Sequence, residues 1–140
     1  MINASEIERA LIGKLASDPQ LAALMPDGVY WDLATLGSEK FVIVTLSTSR
    51  GLAEFHDVDT FRTFVYLVKA VALGTDSDPI APAAERIQAL LDHGDITFPA
   101  AAGCSLMLLR WVDRVRYTET AAGETWQHRG ARYEITVTPL

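Results

Sequence analysis

The hydrophobic pattern along the chain is strongest over residues 60–73, where aromatic and β-branched residues follow one another almost without a break. Residues of these types fit a pleated sheet. With a period of two, Val65 and Val71 fall on one face, and Phe64 and Val68 fall on the other. Neither face is cleanly polar, so we predict a central strand with cover on both faces. Helices of the same chain are expected to cover one face of this strand. The pattern leaves open whether a second subunit covers the other face.

Two main amphipathic helices are predicted, over residues 4–16 and 80–92. In the first, apolar residues recur at helical spacing and Ser5 can cap the N-terminus. The second has its own apolar face and ends at His93-Gly94, which is a usual helix exit. Asp18-Pro19 indicates a further short helix between the first main helix and the sheet.

The remaining apolar segments predict strands over 41–46, 106–118 and 125–138, with a turn joining the last two. Residues 96–98 suggest a short additional strand, and residues 99–103 a flexible linker. Strands that follow one another in pairs favour antiparallel hairpins. We therefore predict an α+β fold, an antiparallel sheet of about four main strands with two main helices packed on one face, in which residues 1–140 form a single domain.

The polar segment between the two central strands, Ser47 to Asp59, is long for a hairpin loop, and loops of that length in compact domains are often functional. Phe55 is an apolar side chain set among charges, and such side chains anchor protein interfaces. Trp126 lies beside a turn and charged residues, which makes it a second contact candidate. The predicted contact loop contributes Arg50, Glu54, Phe55, His56, Asp57 and Asp59.

Composition narrows the possible functions. The 140 residues carry 18 acidic and 12 basic side chains, a net charge of −6, which argues against a general binder of the phosphate backbone. The single cysteine, Cys104, is expected to be a buried, unreactive thiol. No apolar run is long enough to span a bilayer, and the N-terminus lacks the pattern of a signal peptide, so we expect a cytoplasmic protein.

The chain shows no catalytic or metal-binding motif. There is no phosphate-binding loop, dinucleotide fingerprint or nucleophile elbow. The histidines His56, His93 and His128 lack the spacing of metal ligands, and the acidic residues near position 57 fit a solvated loop. We therefore expect no catalytic residues, no bound metal and no cofactor.

Several segments in a fixed order resemble a known family. They are Ile-Glu-Arg-Ala-Leu-Ile-Gly-Lys-Leu-Ala-Ser-Asp-Pro-Gln-Leu-Ala-Ala-Leu at 7–24, Gly-Val-Tyr at 28–30, the strand at 41–46, Ala-Ala-Glu-Arg-Ile-Gln-Ala-Leu-Leu at 83–91, and Arg-Tyr-Glu-Ile-Thr-Val at 132–137. Together they resemble the tail-terminator, or tail-completion (head–tail joining), proteins of long-tailed phages and gene transfer agents. The resemblance covers nearly the whole chain.

The resemblance implies a non-enzymatic virion protein. Members of this family form hexameric rings that cap the tail tube, so the implied partners are further copies of the chain, the major tail tube protein and a head-completion or connector protein. DNA would pass through the ring without specific binding, and no membrane is involved. The implied location is the tail–head junction of the virion, after assembly in the host cytoplasm. Two alternatives stay open: a head-side connector or neck adaptor of the same fold, and a small ligand-binding domain with no assembly role.

Overall fold

A computed structural model describes residues 2–53, 59–74 and 80–140, with only the backbone given for residues 49–53, 59 and 60. The elements, in chain order, are α1 (Ala4–Ala16), α2 (Pro19–Leu24), β1 (Val29–Trp31), β2 (Lys40–Ala53), β3 (Asp59–Leu73), α3 (Ile80–Leu91), a 3-10 turn (Ala100–Ala102), β4 (Cys104–Ala121) and β5 (Glu124–Pro139).

The five strands form one sheet in the order β1-β2-β3-β5-β4. All neighbouring strands are antiparallel except β1 and β2, which pair in parallel over three residues. The predicted α+β class is confirmed, but the sheet is mixed and has five strands instead of four antiparallel ones. The extra strand is Val29–Trp31, which lies along the outer edge of β2. The loop between β1 and β2 brings the chain back so that β2 runs in the same direction as β1.

The central position of β3 is confirmed, since it pairs with β2 on one side and β5 on the other. One face of β3 is completely covered by helices: Phe64, Tyr66, Val68, Ala70 and Ala72 are all buried. These side chains share a core with the apolar faces of the three helices, which include Ile7, Leu11, Leu15, Leu21, Ile87 and Leu91. The long apolar strand therefore forms the base on which the helical layer packs.

The face of the sheet that points away from the helices, here called the open face, is only partly covered. A second small cluster of Phe41, Ile43 and Val71 lies there, with Trp126 packed against it. By contrast, Val65 and Leu67 of the same face of β3 are half-buried. The two-sided apolar pattern of β3 thus reflects one deeply buried face and one half-covered face.

Two helix N-termini are capped by side chains, and one cap differs from the prediction. Asn3 caps α1 by accepting a hydrogen bond from the backbone N–H of Ser5 at 3.2 Å, whereas Ser5 itself lies within the helix. Asp18 caps α2 through the N–H of Leu21, as expected. Both carboxylate oxygens of Asp18 also accept from the Arg86 guanidinium of α3, at 2.9 and 2.7 Å. This hydrogen bonding lowers the pKa of Asp18 to about 2 and ties α2 to α3.

Of the predicted loop 47–59, the described residues 47–53 and 59 are strand. β2 continues to Ala53 and pairs with β3 as far as Asp59, with irregular register near Ser47 and before Ala53. The polar composition that suggested a loop reflects an edge position, because β1 stops at Trp31 and leaves this half of β2 with no outer neighbour among the described residues. A polar strand at a sheet edge still pairs on its inner side.

The short strand predicted at 96–98 is not formed, and the linker at 99–103 is partly ordered as a 3-10 turn. Ile96 is buried and Phe98 packs against the main core, but the backbone of this segment pairs with no strand of the described chain. The apolar side chains that suggested a strand are therefore explained by packing against the core and not by strand pairing. Ala102 of the turn is fully buried, which explains why only small residues fit there.

Gly130 allows β5 to approach β3 closely. A Cβ atom at this position would lie 2.1 Å from the carbonyl oxygen of Val68 and 2.5 Å from Cα of Lys69.

We predict that Gly130→Ala lowers the free energy of unfolding by about 1–3 kcal/mol, because backbone atoms must move. Gly13→Ala is the matched control. It adds the same methyl group where nothing lies within 4 Å, and should raise stability by about 0.5–1 kcal/mol. Urea unfolding of both variants measures the sign, and a stable Gly130→Ala protein would contradict the close approach.

Adjacent residues of β3 should respond differently to truncation. Val68 is fully buried beneath the helices, whereas Leu67 is half-buried on the open face. We predict that Val68→Ala costs about 2–3 kcal/mol and Leu67→Ala about 1 kcal/mol or less, although the leucine loses more atoms. Equilibrium denaturation of the two variants tests this assignment of faces, and a larger loss for Leu67→Ala would show that the faces are reversed.

Candidate functional site

The open face carries a cleft of about 460 Å³ near the turn between β4 and β5. The loop 32–38, between β1 and β2, forms one rim. The floor and the opposite wall come from four strands, through Phe41 and Ile43 of β2, Lys69 and Val71 of β3, Tyr117 and Glu119 of β4, and Trp126 and His128 of β5. The cleft therefore depends on the sheet register, because its residues lie far apart in the sequence.

The apolar part of the cleft is built from aromatic rings. Trp126 packs edge-on against Phe41, with ring centroids 5.9 Å apart, and Phe41 packs in the same manner against Tyr30. Trp126 was the predicted secondary contact residue, and the structure places it half-buried in this wall. On the rim, Leu33 is 83% exposed and Leu36 is completely exposed. Two leucines in open solvent beside an aromatic wall are typical of a protein-binding surface.

The polar part of the cleft is a chain of contacts across three strands. The rings of Tyr117 and His128 stack with centroids 4.3 Å apart and planes 12° apart. Lys69 Nζ lies 5.0 Å from the centroid of the Tyr117 ring and donates to its hydroxyl at 2.5 Å. His128 Nε2 lies 3.1 Å from Oε1 of Glu119. The cross-strand pair Tyr117–His128 in the register of β4 and β5 creates this arrangement.

His128 is held in its neutral form at neutral pH. Burial lowers the pKa of His128, and the positive charge of Lys69 lowers it further, while Glu119 acts in the opposite direction. A hydrogen bond to the Glu119 carboxylate requires a hydrogen on Nε2, so Nδ1 is the unprotonated atom. Nδ1 is buried and has no hydrogen-bond partner among the described residues. The ring serves here as a flat packing surface with one polar anchor.

The chemistry of the cleft suits recognition of another protein. It offers apolar and aromatic surface, the ammonium group of Lys69 and the carboxylates of Asp32 and Glu119, a combination that orients a bound side chain. Among residues 2–53, 59–74 and 80–140, no group of three or more His, Cys, Asp or Glu side chains is placed to hold a metal ion. None of the helices in these ranges is long and apolar enough to cross a bilayer. Cys104 is buried, as predicted, and burial raises the pKa of its thiol.

The structure does not bring the predicted contact residues together. Arg50 lies in β2 and Asp59 begins β3, and for both only the backbone is described. The other members of the predicted set, Glu54, Phe55, His56 and Asp57, lie outside the described residues. None of the described residues from 47 to 53 lines the cleft that contains Trp126. The contact role of the 47–59 segment therefore stays a prediction.

Sequence reasoning missed most of the cleft. His128 was noted only for lacking metal-ligand spacing, and the loop 32–38 was not considered. One local signal was available: two leucines in a glycine-containing loop, where no helical or strand pattern explains them. Lys69, the only charged residue between Thr63 and Leu73, was a second signal. Their association with Tyr117 depends on strand order, which periodicity does not specify.

Comparison with known proteins adds a likeness of fold. No family model matches the chain, and no curated protein matches it. A chain from the virion of a native gene transfer agent particle aligns over 96% of this chain and 96% of its own, with a TM-score of 0.72 and 15% identity. At this identity the likeness shows the fold alone. A second solved chain, whose name states no function, aligns over 100% of this chain and 97% of its own, with a TM-score of 0.55 and 14% identity.

The lowered pKa of His128 makes stability depend on pH. Below pH about 6.5 the unfolded chain binds a proton at this histidine more readily than the folded chain does. The stabilising contribution is therefore complete above that pH and is lost as the pH falls below it. We expect the free energy of unfolding to drop between pH 7.5 and 5.5, and His128→Gln to reduce this drop.

The control for this pH dependence is His93→Asn. His93 is exposed and has a backbone φ of 55°, a conformation that asparagine tolerates. Urea titrations at both pH values give the comparison. An equal pH dependence in wild type and His128→Gln would show that His128 is not desolvated in the folded protein.

Proposed function

We propose that this protein is a structural virion protein, a tail terminator that forms a ring on the end of the tail tube and joins it to the head connector. The observation that carries the proposal is the fold likeness over 96% of both chains to a gene transfer agent virion chain. The sequence resemblance to the terminator family, found independently in the order of helices and strands, points to the same class. On this proposal the 140 residues act as one domain at the tail–head junction.

A non-enzymatic role agrees with the chemistry of the described residues. The polar groups of the cleft stack on and bond to one another, and none of them forms a nucleophile–base pair. The net charge of −6 suits a ring through which DNA passes without being held, because an acidic surface repels phosphates. No cofactor is required by this function.

The open face supplies the contact with a virion partner in this proposal. Leu33 and Leu36 project into solvent beside Trp126, so a partner surface can bury them together. Apolar anchors of this kind supply most of the binding energy of an interface once water is excluded. We assign this surface to the tail tube protein or the connector, and we assign the segment that contains Phe55, which lies outside the described residues, to a second contact.

A complementation experiment tests the function. In a particle-producing strain that lacks this gene, we expect headless tails of abnormal length by electron microscopy, and wild-type protein should restore complete particles. A neck adaptor of the same fold would instead leave tails of normal length that fail to join heads. Normal particles without the gene would contradict both roles and favour a binding domain with no assembly function.

Surface variants test the open-face contact within the same strain. Leu36→Asp and Trp126→Ala should lower the yield of complete particles at least tenfold while circular dichroism shows an unchanged fold. Leu140→Asp is the matched control, because Leu140 is 84% exposed but lies outside the cleft. Full complementation by Leu36→Asp together with Trp126→Ala would remove the cleft from the assembly contact.

A further inference from the structure

A basic group that has no ion pair within the described part of the chain lies at the β4 edge of the sheet, on the side of the helices. It consists of Arg114 and Arg116 of β4 and Arg129 of β5, and Arg116 stands directly opposite Arg129 in the register. Like charges in opposite positions of two strands destabilise a sheet. None of the three arginines has an ion pair among the described residues, and Glu85 is the carboxylate that shares a groove with Arg114 and Arg129.

The other arginines of the sheet show that pairing is available in this fold. Arg110 is bonded to Glu134 at 2.7 Å, and Arg132 to Asp113 at 2.9 Å. An irregular register near Val112 brings Arg110 opposite Glu134, so this carboxylate is bonded to Arg110 and not to Arg114 or Arg116. The basic group is therefore left over after the cross-strand pairs of β4 and β5 have formed.

An acidic pair without a cationic partner lies toward the opposite edge. Glu8 of α1 and Asp32, which follows β1, have no ion pair among the described residues, and Asp32 accepts a hydrogen bond from the Thr45 hydroxyl at 3.0 Å. Burial raises the pKa of Glu8, and the charge of Asp32 raises it further. The folded subunit therefore holds two carboxylates in mutual repulsion, which a nearby cation would relieve.

The two groups belong to the two ends of the sheet. β1 and β4 are the edge strands of the five-stranded order, and β2 has no outer neighbour beyond Val44 among the described residues. A contact between unlike surfaces of identical subunits leaves one surface of each kind free for the next copy. Repetition of such a contact closes into a ring or extends as a filament.

We propose that the basic group of one subunit, Arg114, Arg116 and Arg129, binds the acidic pair Glu8 and Asp32 of the next copy. This inference rests on the ring proposed above and names the charged contact between its subunits. A second copy fits better than nucleic acid, because the complementary charges are present in the same chain and the net charge of −6 disfavours phosphates.

Two reciprocal variants test the contact. The first, Arg114→Glu with Arg116→Glu, makes both edges acidic. The second, Glu8→Lys with Asp32→Asn, makes both edges basic, and asparagine is chosen because Asp32 has a φ of 62° that it tolerates. Arg9→Glu with Lys40→Glu is the control for the first variant, because it changes the net charge equally and leaves both groups in place.

Association is measured by native mass spectrometry and light scattering at low salt, with the proteins free and after incubation with terminator-free tail tubes. Each reciprocal variant alone should associate at least tenfold more weakly than wild type, while the control variant should not. A mixture of the two should recover assembly as alternating 1:1 oligomers, since every contact again joins opposite charges. Circular dichroism confirms that each variant is folded.

The outcomes separate this inference from the proposed function. In one outcome, wild-type protein caps tubes, but the mixture assembles no better than each variant alone. That result would overturn the edge contact and leave the terminator role in place. In another outcome, the mixture forms alternating oligomers, but wild-type protein never caps tubes. That result would support the contact and overturn the terminator role. In a third outcome, wild-type protein binds a short DNA duplex, the first variant does not bind it, and the mixture does not recover assembly. That result would assign the arginines to nucleic acid and contradict the proposal.

Discussion

Burial of one face of β3 is the constraint on which the rest of the structure depends. The five side chains that β3 turns toward the helices are all buried, and each helix contributes its apolar face to the same core. A central strand of this kind pairs on both sides, so β2 and β5 are held in register by the same residues that hold the helices. This packing also fixes the geometry of the open face, because the strands cannot shift without exposing the core.

The cleft on the open face is a consequence of that register. Lys69, Tyr117 and His128 come from three strands and meet only because β5 lies between β3 and β4. Gly130 lets β5 come close enough to β3 for this pairing. The contacts within the cleft satisfy most of its polar groups, which leaves its apolar rim as the surface available to a partner. In the proposed virion role, this rim is the surface that contacts a partner.

The charged side chains fall into two classes with different consequences. Those that pair within the subunit, such as Asp18 with Arg86, join elements of the fold, and their contribution is modest where they are exposed to solvent. Among the described residues, Arg114, Arg116 and Arg129 have no ion pair and lie at the β4 edge, and Glu8 and Asp32 have no ion pair and lie near β1. In the proposed ring, these opposite charges favour a head-to-tail contact between identical subunits.

Periodicity in the sequence by itself determined the two main helices, the central strand and the α+β class, because amphipathic patterns reflect which side chains must leave water. The sequence also indicated Cys104 as a buried thiol, whereas the contact role of Trp126 stays a prediction. Strand order, the parallel β1 and the strand character of 47–53 were decided only by the tertiary structure, because pairing across a sheet joins residues that no local pattern connects. For the same reason, the association of His128 with Lys69 and the pairing of Arg110 with Glu134 could not be read from spacing along the chain. Local hydrophobic patterns specify what is buried, whereas strand register and packing decide which polar groups meet.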